Sequence, residues 1–155
     1  MNPKQIHLVQ STLAVVRHKS TAIGELFYKR LFILDPSLRP MFKGDLVHQS
    51  RMLMAMLDST VSGLNDLDVL VPVVRQLGAR HARYGVLQSH YDTFGSALLW
   101  TLEQGLGQKF TPAVGEAWAA VYELLDSMMQ MGAIEAQSRH VAASTGHAIH
   151  AQKQH

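Results

Sequence analysis

The chain has no cysteine. Disulfides, thiolate zinc sites and cysteine nucleophiles are therefore excluded, and the absence fits a reducing compartment. It has no apolar run approaching the roughly 20 residues that a membrane span needs. Its opening Met1-Asn2-Pro3-Lys4-Gln5 lacks the apolar core of a signal peptide. Charge is sparse, at 17% of residues with a net +2, and no run of Lys and Arg would track a phosphate backbone. Neither a nucleic-acid partner nor membrane insertion is expected; a soluble, cytoplasmic protein is. Internal repeats and long apolar–polar alternation are missing too, so nothing points to a β-protein.

What remains is 155 residues, 47% of them hydrophobic, enough for one domain with a real core. The apolar residues recur at helical spacing throughout. Asn2-Pro3 starts a helix that runs to about Arg17, and a second runs from Ser20 to Leu34, where Asp35-Pro36 ends it. Pro36 to Met41 allows one short turn. Asp45 caps a third helix reaching about Gly63, and others cover Leu67–Arg83, Gln88–Gly105 and Pro112 to roughly Ala136. The expected class is all-α, with residues 1–137 as the domain. Residues 138–155 form a polar tail without Leu, Phe or Met but with His140, His147, His150 and His155. Such a tail is either metal-binding or, as is commoner, mobile and solvated.

The chemistry lies in exceptions to the stripes. On the fourth helix the apolar face runs Val73/Val74 and Leu77, then His81, which a step of four keeps on the same face. A core histidine satisfied by a backbone carbonyl is the commoner explanation; an imidazole offered to a ligand is the other. On the third helix Gln49 and Ser50 interrupt the stripe between Leu46 and Leu53, while His48 points elsewhere. Gln49 fits either an edge amide in water or a donor facing inward. Gly24, mid-helix, suggests a close crossing, with Ser50 the matching small residue and Tyr28 beside it. Together these set one histidine against a tyrosine and a glutamine across an apolar cavity. One neutral imidazole suits an iron whose other bonds come from a porphyrin.

Here the sequence resembles the bacterial single-domain globins related to flavohaemoglobins, over about residues 5 to 136. The likeness rests on Gly24-Glu25-Leu26-Phe27-Tyr28, Asp35-Pro36 with Met41-Phe42, Gln49-Ser50-Arg51-Met52-Leu53, Leu77 with His81 and Val86, and Glu116 to Tyr122. It implies a globin fold, three helices over three, with a short or absent fourth (D) helix. It also implies a haem b cofactor, iron protoporphyrin IX. His81 resembles the iron ligand, Tyr28 and Gln49 the ligand-stabilising pair, and Leu53 the wall above the iron. Phe42, Leu77, Val86 and Phe94 resemble porphyrin contacts. Tyr91 and Glu135 resemble a pair that supports the histidine.

The resemblance implies reversible binding of oxygen, with nitric oxide and carbon monoxide as further ligands. Two other functions stay open. One is a nitric oxide dioxygenase, which needs a separate reductase because the chain has no room for flavin and nicotinamide domains. The other is a haem-based gas sensor.

Overall fold

Six α-helices follow one another in the described residues, 1–152 of a computed structural model whose side chains are described as far as Thr145. The first, α1 (Pro3–Arg17), starts where expected: the Asn2 side chain accepts from the Gln5 amide at 2.8 Å, and the Gln5 side chain closes the capping box. The second, α2 (Ser20–Leu34), stops at extended Asp35, and a 3-10 turn covers Pro36–Met41. Asp45 caps α3 (Leu46–Ser62) through the Val47 amide, 2.9 Å away. The chain continues through α4 (Leu67–Arg83), α5 (Gln88–Leu106) and α6 (Pro112–Gln152). Only residues 42–45 separate the 3-10 turn from α3, so no additional helix fits at that corner.

The last helix departs from expectation. It does not end near Ala136 but runs on, unbroken, to Gln152. No residue between Gly132 and Thr145 is buried, so this extension adds nothing to the core. His140 is exposed; the side chains of His147, His150 and His155 lie outside the described residues. Among the described residues, no helix is long and apolar enough to cross a membrane.

Trp118, Leu13, Leu31, Leu38, Leu57 and Leu102 are fully buried at the centre. The Trp118 indole N–H donates to Thr12 Oγ1 at 2.9 Å, so the largest core side chain keeps its polar atom satisfied. Helix α2 crosses α3 and lies on α5, while α6 packs against α1, α5 and, most extensively, α4. Both close crossings run through glycine. A Cβ at Gly24 would sit 2.5 Å from Ser50 Cβ, the match expected from sequence. At the second, Gly78 of α4 abuts the Met129 carbonyl and Gly132 of α6 abuts the Arg75 carbonyl, so two backbones touch reciprocally. By contrast α3 and α4 are not packed on one another; the 3-10 turn Gly63–Asn65 between them touches both. The two helices diverge from that turn, and their facing sides flank a slot in which neither packs on the other.

Candidate functional site

The stripe on α4 is narrower than its sequence suggests. Val74 is buried and Leu77 half-buried, but Val73 is 56% exposed. His81 is half-buried, with Nδ1 2.8 Å from the Leu77 carbonyl one turn back. A carbonyl only accepts, so this bond assigns the proton to Nδ1 and leaves the lone pair on Nε2. Burial lowers the pKa of the ring, the carbonyl bond opposes that, and neighbouring Arg80 lowers it further. His81 is thus a neutral imidazole held in one tautomer. The commoner explanation from sequence, a histidine satisfied by a carbonyl, accounts for one nitrogen and leaves the other. The backbone carbonyl of His81 accepts the Val86 amide at 3.1 Å, which folds Val86 back towards the His81 end of α4.

Across the slot Tyr28 is 5% exposed, and its hydroxyl lies 3.4 Å from the main-chain carbonyl of Gln49. The phenol therefore reaches α3 at the expected residue, through the backbone and not the amide. At that length the bond is weak, and the hydroxyl can re-aim. Burial pushes the Tyr28 pKa up from 10 to about 12. Gln49 and Leu53 are half-buried on the same helix, and His48 is exposed as expected. Ser50, wholly buried, donates to the Leu46 carbonyl at 2.7 Å and so interrupts the stripe without leaving a polar group unpaired.

Aromatic rings join the two ends of this space. Phe42 lies 5.2 Å from Tyr28 and 6.3 Å from Phe94, and Phe94 lies 6.5 Å from Tyr91. Sequence reasoning gave Phe32 no place in the site, yet it stands 6.1 Å from Tyr28 and 5.8 Å from Phe42. Its position four residues after Tyr28 was the available signal.

Tyr91 and Glu135 are not joined. The Glu135 carboxylate pairs with Arg75 and lies 3.6 Å from Arg139, while the Tyr91 backbone carbonyl accepts the Tyr122 hydroxyl. Both border a cavity of about 1260 Å³ between α4 and α6, which His81 does not line. No hydrogen bond links Glu135 to Tyr91 or His81 among the described residues. Nor do three histidine, aspartate or glutamate side chains gather there to hold a metal ion among those residues.

The family profile described as Globin matches residues 25–129, from the helix of Tyr28 to the crossing at Met129. The chain belongs to the globin family. Curated relatives include the flavohemoprotein of Bacillus subtilis (strain 168), 27% identical over 128 residues, which are 81% of this chain and 32% of that protein. Flavohemoproteins of Bordetella parapertussis and Bordetella bronchiseptica are each 30% identical over 132 residues, 83% of this chain and 33% of theirs. This globin spans about a third of the length of the curated relatives it matches. Among solved structures, the hexacoordinated heme protein of an anhydrobiotic tardigrade at pH 4 superposes with a TM-score of 0.76. That match covers 86% of this chain and 95% of the other at 15% identity, a likeness of fold. The all-α globin architecture and the kinship with flavohaemoglobins expected from sequence are both borne out.

Proposed function

We propose that this globin holds one haem, iron protoporphyrin IX, through His81 Nε2 and binds a diatomic gas reversibly, oxygen foremost. One observation carries the reading: the Nδ1 bond to Leu77 at 2.8 Å fixes a neutral imidazole in the tautomer that leaves Nε2 free to ligate. The surroundings fit a flat apolar group. Helices α3 and α4 stand apart, and Leu53, Leu77, Val86, Phe42 and Phe94 offer partly buried apolar surface beside the core. Haem, when bound, supplies the iron at which the gas coordinates.

The chain supplies the discrimination. Oxygen draws electron density when it binds and becomes a good hydrogen-bond acceptor, whereas carbon monoxide does so far less. Tyr28 keeps its proton to about pH 12 and can donate, as can the Gln49 amide. Each partly charge-assisted bond contributes about 1–2 kcal/mol, so the pair would slow oxygen release by roughly thirty- to several-hundredfold. On the other side, His81 donates to a neutral carbonyl, while Arg75 holds the candidate carboxylate, Glu135. An imidazole so bonded is an ordinary electron donor, which favours reversible binding over oxidation of nitric oxide. Dioxygenase action would in addition demand a reductase. The cytoplasm is the compartment we propose.

Reconstitution with haemin followed by reduction tests the reading. A Soret band and oxygen release that is slow by stopped flow are expected. A colourless protein would reject the haem, and sustained nitric oxide consumption with an added reductase would move the assignment to the dioxygenase.

A further inference from the structure

Beside the glycine crossing, α4 and α6 part around the cavity of about 1260 Å³, which the gas site does not use: neither His81 nor Tyr28 lines it. Four arginines do, Arg75, Arg80 and Arg83 from α4 and Arg139 from α6, with His140 next to the last. Glu135 is the one carboxylate in the wall among the described residues. It engages Arg75 and lies 3.6 Å from Arg139, which leaves each guanidinium with donors to spare. Arg75 Nε is buried without a hydrogen-bond partner among the described residues. Arg80 and Arg83 have no ion-pair partner among them either. Four guanidinium groups against one carboxylate make the wall strongly positive, and a concave wall of one sign concentrates its field on whatever enters.

We propose that this cavity binds a small organic polyphosphate, a molecule of the size and charge of a nucleoside di- or triphosphate. The cations fall in two groups. Arg75 and Arg139 flank Glu135, while Arg80 and Arg83 stand about 8 and 12 Å further along α4. A lone phosphate meets one group only; an extended polyanion meets both. The volume lies above the roughly 300–1,000 Å³ of ordinary ligand pockets, too much for a simple ion. Guanidinium forks match phosphoryl oxygens, and each phosphoryl group offers three acceptors where a carboxylate offers two. Ala79, Ala82, Val86, Leu87 and Ile134 supply apolar wall between and beside the cations, a seat for the organic part of the molecule. Because the arginines line a cleft between helices and not a convex face, the site suits a small molecule and not a duplex.

Isothermal titration calorimetry of the full chain, with and without haem and in magnesium-free buffer, tests this with three probes: inorganic phosphate, inorganic tripolyphosphate and ATP. Tripolyphosphate and ATP should each saturate one site per chain, bind at least roughly tenfold more tightly than phosphate, and weaken as salt is raised. Tighter binding of ATP than of tripolyphosphate would add a contribution from the apolar wall; equal binding would mean that the phosphoryl groups alone are recognised. R80Q/R83Q, at two exposed positions, should weaken both probes about tenfold, whereas K4Q/K109Q, which removes two charges elsewhere, should not. Glu135→Gln, which takes the only carboxylate from the wall, should tighten binding about threefold. Circular dichroism on each variant confirms that the helices persist. Three results would overturn the proposal: no saturable heat with either polyphosphate, R80Q/R83Q binding as tightly as wild type, or K4Q/K109Q weakening binding as much as R80Q/R83Q. The readout does not depend on haem, so a missing Soret band counts only against the gas-binding function.

Discussion

Helix α4 is pressed against α6 on one side and stands clear of α3 on another, and the two sides follow different rules. Against α6 the side chains have been reduced to Gly78 and Gly132, and backbone meets backbone. Towards α3 the helix keeps Leu77 and His81, both half-buried, and the two helices are not packed on one another. The first arrangement fixes where α4 lies. The second uses that fixed position to present an imidazole. Rigidity on one face is what lets the other remain open without the helix drifting.

The comparison breaks most readily at the crossing. Gly78→Val would drive two methyl groups into the Met129 backbone, which cannot rotate away, and should destabilise the fold by about 3 kcal/mol in urea titration. A loss below about 0.5 kcal/mol would show that the helices separate freely and that the crossing fixes nothing.

The slot side should respond in function and not in fold. Tyr28→Phe removes one donor and leaves the ring, so oxygen release should quicken by roughly ten- to a hundredfold while stability moves little. Unchanged release would deny the phenol its role. The same hydroxyl predicts a pH effect. Its pKa is raised from 10 to about 12 in the fold, so the unfolded chain gives up the proton first. Its contribution to stability is complete below pH 10 and falls away as pH rises towards 12; across that window the wild type should lose stability that Tyr28→Phe, which has no phenol to ionise, keeps, so their thermal melts should separate.

Much of this was legible in the sequence, for a physical reason. His81 and Gln49 are polar residues on apolar stripes, and such exceptions show in the pattern itself. Gly24 and Ser50 could be paired because a small residue on each of two consecutive helices suggests one crossing. Gly78 and Gly132 could not, since each meets a carbonyl, and main chain has no sequence signature. The pairing of Glu135 was hidden for a related reason. Its helical position was right, but its partner, Arg75, belongs to another helix 60 residues away, and nothing in either local pattern announces the pair. The end of α6 was misplaced because a run of Ala, Ser, His and Gln has too little apolar periodicity to show helix, though its backbone continues to Gln152.

Smaller effects sharpen the comparison. The Arg75–Glu135 pair borders the α4/α6 cavity with side chains 34% and 41% exposed, so solvent screens it. Glu135→Gln should cost no more than about 1 kcal/mol in urea titration and leave the spectrum of the reconstituted protein unchanged. A shifted spectrum would mean that Glu135 reaches His81 after all. Weakest is the Arg17–Asp58 pair, 2.7 Å apart but 52% and 41% exposed. Arg17→Ala should change stability by about 0.5 kcal/mol or less, a baseline for surface pairs away from α4.

The most direct measurement is the absorption spectrum of the reduced, reconstituted His81→Gly variant, taken before and after adding free imidazole. Nε2 as the tether predicts a spectrum unlike wild type that returns towards it when imidazole fills the space. A wild-type spectrum without imidazole would place the iron on another residue and contradict the account.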